Sequence, residues 1–402
     1  MCSDAADVKE IATGQARVRL REFRESGSFL NLPRPPMPRT SILLVLYNRA
    51  ELTLACLRSL QPRLEEEAAE VILVDNASRD ETPALLDRIR GATVIRNGDN
   101  RGFPVAVNQA AAAARGEYLL LLNNDTEVLG DSLGAAARFL AANPDAGAVG
   151  GRIILLDGTL QEAGCAIWRE GHVYQHGRGD SPSAAEYLFQ RDVDYCSGAF
   201  LMTPRDLFHK MGGLDTAFSP GYFEDLDYCI RLWRAGWRVV YMPDIALLHF
   251  ESASSTNRQS LNALYRRNHI YFTRKHADWL AFQFPAASTP RWWARSTHDD
   301  RFKVLYLPRQ SAGLTRGLQR VVRELRSRNC FVTVYPVGPN ANIAENEALE
   351  MPRDVEVLRG GSLDTLPHFL ADRRHYYDCI LASDTEIVEQ IRRGGGRAAW
   401  AA

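Results

Sequence analysis

The run YLLLLNNDTEV, Tyr118 to Val128, opens with five apolar or aromatic residues and then breaks into Asn123, Asn124 and Asp125. A second polar cluster, Glu224-Asp225-Leu226-Asp227, follows the aromatic pair Tyr222-Phe223, and a single histidine, His249, closes the apolar run IALLHF. Carboxylates can take a proton or hold a cation, and amides can orient a polar ligand. Two more apolar runs end in Tyr47-Asn48 and Asp75-Asn76. Asn and Asp also cap helices and make turns, so one such end says little. Three together, two of them with carboxylates, point to a site. The acids at 224–227 would complement the dipole of a first helical turn, but that does not account for the aromatic pair leading into them.

The elements that must position these residues follow from the hydrophobic pattern. SILLVLYN (41–48), EVILVDNAS (70–78), TVIRNG (93–98) and YLLLLNND (118–125) read as strands. Between them ELTLACLRSL (51–60), DETPALLDRIR (80–90) and the Ala-rich PVAVNQAAAAARG (104–116) have helical spacing, the last closed by Gly116 as a C-cap. Alternation at this spacing predicts a parallel α/β sheet, in which ligands sit beyond the carboxyl ends of the strands. After residue 150 the alternation weakens. HVYQH (172–176) reads as a hairpin or loop, because its two histidines lack the HExxH context of a metal site. WRVVYMP and IALLHF read as two strands after a helix opened by Glu224.

Upstream, residues 1–31 hold one modest helix, and NLPRPPMPR (31–39) is an extended Pro-rich linker. Residues 265–295 mix Arg266, Arg267, Arg274, Lys275 and Arg291 with Trp279, Trp292 and Trp293, either a packed strap or a peripheral surface for an anionic or lipid-linked partner. From residue 301 a second α/β pattern begins, with KVLYLP, FVTVYPV, DVEVLRG and YDCILAS as strands.

A chain of 402 residues has room for two or three domains. Lys plus Arg is 48 and Asp plus Glu is 49, so the formal charge of −1 gives no pull toward nucleic acid. The seven cysteines are scattered and never form CxxC, which fits a reducing cytosol better than a disulfide framework or a zinc site. The stretch MCSDAADVKE carries charge where a signal peptide would be apolar. The expected location is cytoplasmic.

Residues 40–276 resemble glycosyltransferase family 2, the inverting GT-A transferases, and most of all its rhamnosyltransferase-type members. The pieces that carry the likeness, in family order, are SILLVLYNRAE, EVILVDNASRDET, NGDNRGFPVAVNQAAAAARGEYLLLLNNDTEV, the GTLQEAG turn, YCSGAFLMTPRDLFHKMGGLDTAF, YFEDLDYCIRLWRAGWRVVYMPDIALLHF and RNHIYFTRKH. The resemblance implies an α/β GT-A nucleotide-diphospho-sugar transferase fold, with a mixed, mainly parallel sheet, over residues 40–300. It implies a dTDP- or UDP-sugar donor and a glycan or lipid-linked acceptor. Asp125 would hold Mg2+ or Mn2+ on the donor diphosphate, as the one carboxylate of the motif Asn123-Asn124-Asp125, with His249 as a second metal-side ligand. Asp225 would be the catalytic base and Glu224 its competitor or an acceptor contact. Asp227 would orient the site or pair with Arg231. Tyr47, Asn48, Asp75 and Asn76 would hold the nucleoside, although Leu46 stands where the family usually has Thr. Asn100, Arg101 and Gly102 would form the loop over the diphosphate, with Asn108 facing the same region, and Ser197 and Gly198 would line the sugar side.

Residues 301–402 resemble the N-terminal Rossmann half of a GT-B transferase, a small Rossmann-like α/β domain without the half that grips the donor. Two rivals remain open. A sugar-1-phosphate nucleotidyltransferase would want a Gly-rich basic signature where LYNRAELT supplies only Arg49. A non-catalytic glycan- or nucleotide-binding scaffold would account for the reduced acidic motif.

Overall fold

The computed structural model describes residues 2–251, 258–295, 297–309, 316–337, 351–358, 361–383 and 385–393. The chain forms two compact units. One comprises residues 1–182 and 193–287, the other 183–192 and 288–402. This division differs from a single cut after residue 300, because a ten-residue segment leaves the first unit's sequence and belongs to the second.

In the first unit the N-terminal helix α1 (Cys2–Glu25) is followed by β1 (Thr40–Leu46), α2 (Ala50–Leu64), β2 (Ala69–Asp75), β3 (Thr93–Arg96), α3 (Phe103–Ala113), β4 (Tyr118–Asn123) and β5 (Thr126–Leu129). Then come α4 (Ser132–Ala142), β6 (Ala146–Leu155), β7 (Leu160–Ala163), β8 (Phe200–Pro204), α5 (Glu224–Arg234), β9 (Arg238–His249) and α6 (Arg258–Lys275). The strands lie in the order β9-β6-β8-β4-β1-β2-β3, with β5 on β9 and β7 on β6. β1 pairs in parallel with both β2 and β4, and β2 with β3. β8 runs antiparallel to β4 and β6, so the sheet is mixed and mainly parallel, as expected.

The central strands are apolar throughout because both faces are covered. Every side chain of Ile42–Leu44 and Leu119–Leu122 is fully buried. Helix α3 packs on β1 and β2, and α4 on β6 and β9. The polar residues at the carboxyl ends of β1, β2 and β4 therefore emerge side by side.

Three local expectations changed. The helix expected over 80–90 spans only Thr82–Leu86, and Ile89–Arg90 instead pairs in parallel with Leu30–Asn31 of the Pro-rich linker. Gly91 makes this approach possible, since a Cβ there would lie 1.9 Å from the Leu32 carbonyl oxygen. Gly116 does not cap α3, which ends at Ala113; its backbone passes so close to β1 that a Cβ would lie 2.6 Å from Ser41 N. The two strands expected around Pro243 are one strand, β9, with a register irregularity between Tyr241 and Ala246. A proline without an N–H sits where the ladder is interrupted, and its carbonyl accepts from Arg152 Nε at 2.9 Å.

The second unit has four parallel strands, β10 (Phe302–Leu307), β11 (Cys330–Val334), β12 (Glu356–Val357) and β13 (Cys379–Ala382), in the order β12-β11-β10-β13. Glu356 is fully buried and held by both guanidiniums of Arg295 and Arg373, at 2.8–3.0 Å. The exchanged segment supplies Phe189, which packs with Trp292, Phe331 and Tyr376. Trp292 is thus buried and donates to Asp372 at 2.7 Å, so it is no part of an exposed basic-aromatic face. No helix among the described residues is long and apolar enough to cross a membrane.

Candidate functional site

A cleft of about 640 Å3 opens at the carboxyl ends of β1, β2 and β4. Its walls include Tyr47, Asn76, Asn100, Asn123, Asn124, Asp125, Ser197, Gly198, Glu224, Asp225 and His249. Residues far apart in sequence meet here because the strands end together and because β9 delivers His249 beside β5, where it pairs with Thr126. Among the described residues, no lysine or arginine lines the cleft.

Asp125 is buried, and its Oδ1 lies 3.2 Å from Nε2 of His249. The other ring nitrogen of His249, Nδ1, is 2.7 Å from Oε1 of Gln161. An amide oxygen only accepts, so Nδ1 donates to Gln161 and Nε2 is the ring atom that faces the carboxylate. A carboxylate and an imidazole nitrogen this close are types that could share a cation. Among the described residues no group of three or more His, Cys, Asp or Glu converges on one point, so a cation held here would take further oxygen ligands from its substrate. Gln161 was missed in the sequence. It is the extra residue of a bulge, since Ile153 pairs with Glu162 but Ile154 with Leu160, and bulges re-aim side chains next to sites. Register of this kind leaves no mark in composition.

Asp225 accepts from Gly198 N and Leu226 N, both at 2.9 Å. Burial raises its pKa, against the pull of those two donors. Glu224 is raised further, well above the ordinary carboxylate range, by burial first and then by Asp225. Its Oε2 is buried without a hydrogen-bond partner. The two acids differ in that Asp225 accepts from the backbone N–H groups of Gly198 and Leu226, while Glu224 is also pushed up by the charge of Asp225. Burial, then the charges of Glu224 and Asp125, raises the phenol of Tyr222, which shares the cleft.

Asp227 lies on the far side of the helix. Burial would raise its pKa, but His276, Arg231 and Lys275 hold it at about 2. The Arg231 Nε and His276 Nε2 contacts are both 2.8 Å. The expected Arg231 pairing is present, inside a larger cationic pocket. A depressed carboxylate contributes stability above its unfolded pKa and loses it as pH falls through the folded one, here between 3.8 and about 2. Asp227→Asn should therefore cost about 3 kcal/mol at neutral pH, with less difference from the parent at pH 2, as measured by denaturant unfolding.

Five of the expected ligand contacts are not among the cleft walls. Asn48, at φ 61°, accepts from Arg79 N through Oδ1 at 2.8 Å. Oδ1 of the buried Asp75 accepts from Ser78 N at 2.9 Å. Both brace the turn that presents Asn76. Asn108 ties α3 to Leu214 by two hydrogen bonds, of 2.8 and 2.9 Å. Arg101 is half-exposed and 3.6 Å from Asp99. Gly102, at φ 82°, passes so close to Pro220 that a Cβ would lie 2.7 Å from its Cα. The Asn76 side chain bonds Asn100 and Asn97, each at 2.9 Å, and so orders the loop between them.

Residues 41–211 match the profile of glycosyl transferase family 2. The O-antigen biosynthesis protein RfbC of Myxococcus xanthus is 31% identical over 226 residues, which are 54% of this chain and 18% of that protein. An N-acetylglucosaminyl-diphospho-decaprenol L-rhamnosyltransferase of Mycobacterium tuberculosis is 29% identical over 240 residues, 53% of this chain and 78% of that one. A solved mannosyltransferase of Pyrobaculum calidifontis, with GDP-Man and Mn2+, superposes with a TM-score of 0.41 at 20% identity, over 67% of this chain and 71% of the other. The chain spans 28% and 18% of the length of two curated relatives that it matches.

Proposed function

The chain carries a glycosyl transferase family 2 domain across residues 41–211, and on that premise we propose that it moves a sugar from a nucleoside-diphosphate donor to a glycan or lipid-linked acceptor, with inversion and with a divalent cation. The observation that carries this reading is the convergence of Asp125, His249, Glu224 and Asp225 on one cleft, with no lysine or arginine among its described lining residues. A diphosphate entering such walls meets the carboxylates of Asp125, Glu224 and Asp225 and, among the described residues, no lysine or arginine, so a cation would offset its charge. Asp125 and His249 are the residues that would hold it, Mg2+ or Mn2+. The bound ion would stabilise the charge growing on the departing diphosphate.

Tyr47, exposed at the end of β1, stacks on the base, and Asn76 and Asn100 shape the loop over the donor. Asp225 is the base. As the acceptor oxygen bonds to the anomeric carbon, the bond to the diphosphate breaks and the hydroxyl proton passes to the Asp225 carboxylate. Its raised pKa suits that work, and the two N–H donors keep it anionic in preference to Glu224. Glu224 bonds the acceptor. The donor is a dTDP- or UDP-sugar, and the named rhamnosyltransferase relative supports rhamnose. A cytoplasmic site of action, peripheral to the membrane that carries a lipid-linked acceptor, belongs to the same reading.

A thermal-shift screen of dTDP-, UDP- and GDP-sugars with Mn2+ tests the donor half. The true donor at about a hundredfold above its Kd should raise the melting temperature by about 5 °C. No shift with any of them would sink the reading.

A further inference from the structure

We propose that Tyr222 and Tyr265 form an aromatic platform in the cleft that seats one face of a neutral pyranose ring of the acceptor, with the Glu224 carboxyl as its polar partner. This rests on the transferase reading of the cleft, to which it adds the chemical class of the acceptor's terminal unit.

The first observation is the pair itself. Tyr222 and Tyr265 both line the cleft, yet they are 42% and 39% exposed. Their rings lie 6.4 Å apart at 65°, an edge-to-face arrangement that leaves aromatic surface open.

The second is how firmly this open ring is held. Tyr222 and Phe223 are consecutive non-glycine residues in the left-handed region, at φ 75° and 77°. Each such residue is strained by about 1 kcal/mol or more, and strain persists only where the surroundings over-determine it. Here they do. The buried amide of Asn268 donates to the carbonyls of Phe218, Gly221 and Tyr222, at 2.8, 2.8 and 3.1 Å. The Phe223 ring is buried against Tyr265 at 4.9 Å and Phe272 at 5.2 Å. Helix α6 thus grips the turn from below, while the turn sends Tyr222 outward. A turn needed only for connection would have used glycine at both positions.

The third is the unmet polar atom. Glu224 is only 6% exposed and lines the same cleft, and its Oε2 lacks a hydrogen-bond partner. An amphipathic ligand with a C–H face and a rim of hydroxyls satisfies both features. An anionic one fits less well, since the described walls contain acids and, among them, no lysine or arginine.

Saturation-transfer NMR with methyl α-rhamnopyranoside, methyl β-glucopyranoside and methyl N-acetyl-β-glucosaminide, each with UDP and Mn2+, tests the platform. At least one should receive saturation in the parent, strongest at ring C–H protons. The double variant Tyr222→Ala/Tyr265→Ala should weaken its binding about tenfold or more, and Tyr222→Phe/Tyr265→Phe should retain it. UDP affinity, titrated separately, should be unchanged in both. Saturation that persists in the alanine pair, or no saturation from any pyranoside in the parent, overturns the platform. Loss of UDP binding with the alanine pair also overturns it, since the rings would then merely hold the fold. If the pyranosides behave as expected but no nucleotide or nucleotide sugar binds, the platform stands and the transferase reading falls.

Discussion

Asp225→Asn should slow sugar transfer about 10^3-fold and leave nucleotide affinity intact. The substitution is nearly isosteric, and the fold around it is set by α5 and β8, not by the carboxylate charge. What it removes is the one acid in the cleft that combines raised basicity with two backbone donors on its oxygens. The pH profile gives an independent check. Because burial raises the pKa, kcat/KM should climb with pH through a value above the ordinary 3.8 of an aspartate, and the variant should lose that limb. The measurements are initial rates of nucleoside-diphosphate release with acceptor present, and a nucleotide titration. Full activity in the variant would move the base to Glu224 or to the substrate.

Withholding a divalent cation should have an effect of similar size by a different route. EDTA should stop turnover, with Mn2+ or Mg2+ restoring it, and Asp125→Asn should cut kcat/KM by about 10^2-fold or more even at saturating metal. The reasoning is electrostatic. A diphosphate in this cleft meets Asp125, Glu224 and Asp225 and no cationic side chain among the lining residues. Where Arg or Lys clamps a phosphate, chelation has modest consequences; here nothing else on the walls offsets the charge. Full activity in EDTA would remove Asp125 and His249 from any metal role and would bring Arg101, half-exposed beside the cleft, forward as the phosphate contact.

The parts of the fold legible in the sequence were those governed by local period. The runs ending at Leu46, Asp75 and Asn123 are buried on both faces, and an apolar stretch of that length bounded by turn residues has few other uses. The cleft's lining was legible where polar residues follow such a run, as at Asn76 and at Asn124-Asp125. Pairing partners were not. Asn48, Asp75 and Asn108 have side chains as polar as those in the cleft, and only the tertiary structure shows them spent on Arg79, Ser78 and Leu214. Gln161 reaches His249 through a bulge, and Tyr265 reaches the cleft because α6 folds back on Phe223. Both depend on long-range register, which no window of neighbouring residues encodes.

The exchanged segment 183–192 has a consequence for how the protein is made. Phe189 leaves the ribosome long before the partners it packs against, Phe331 and Tyr376, have been synthesised. Until then its ring has no place in the second unit's core, and the chain on both sides of it is already committed to the first. Translation cannot finish one unit before starting the other, so a stop codon after residue 287 would leave that aromatic ring without the core it was built for.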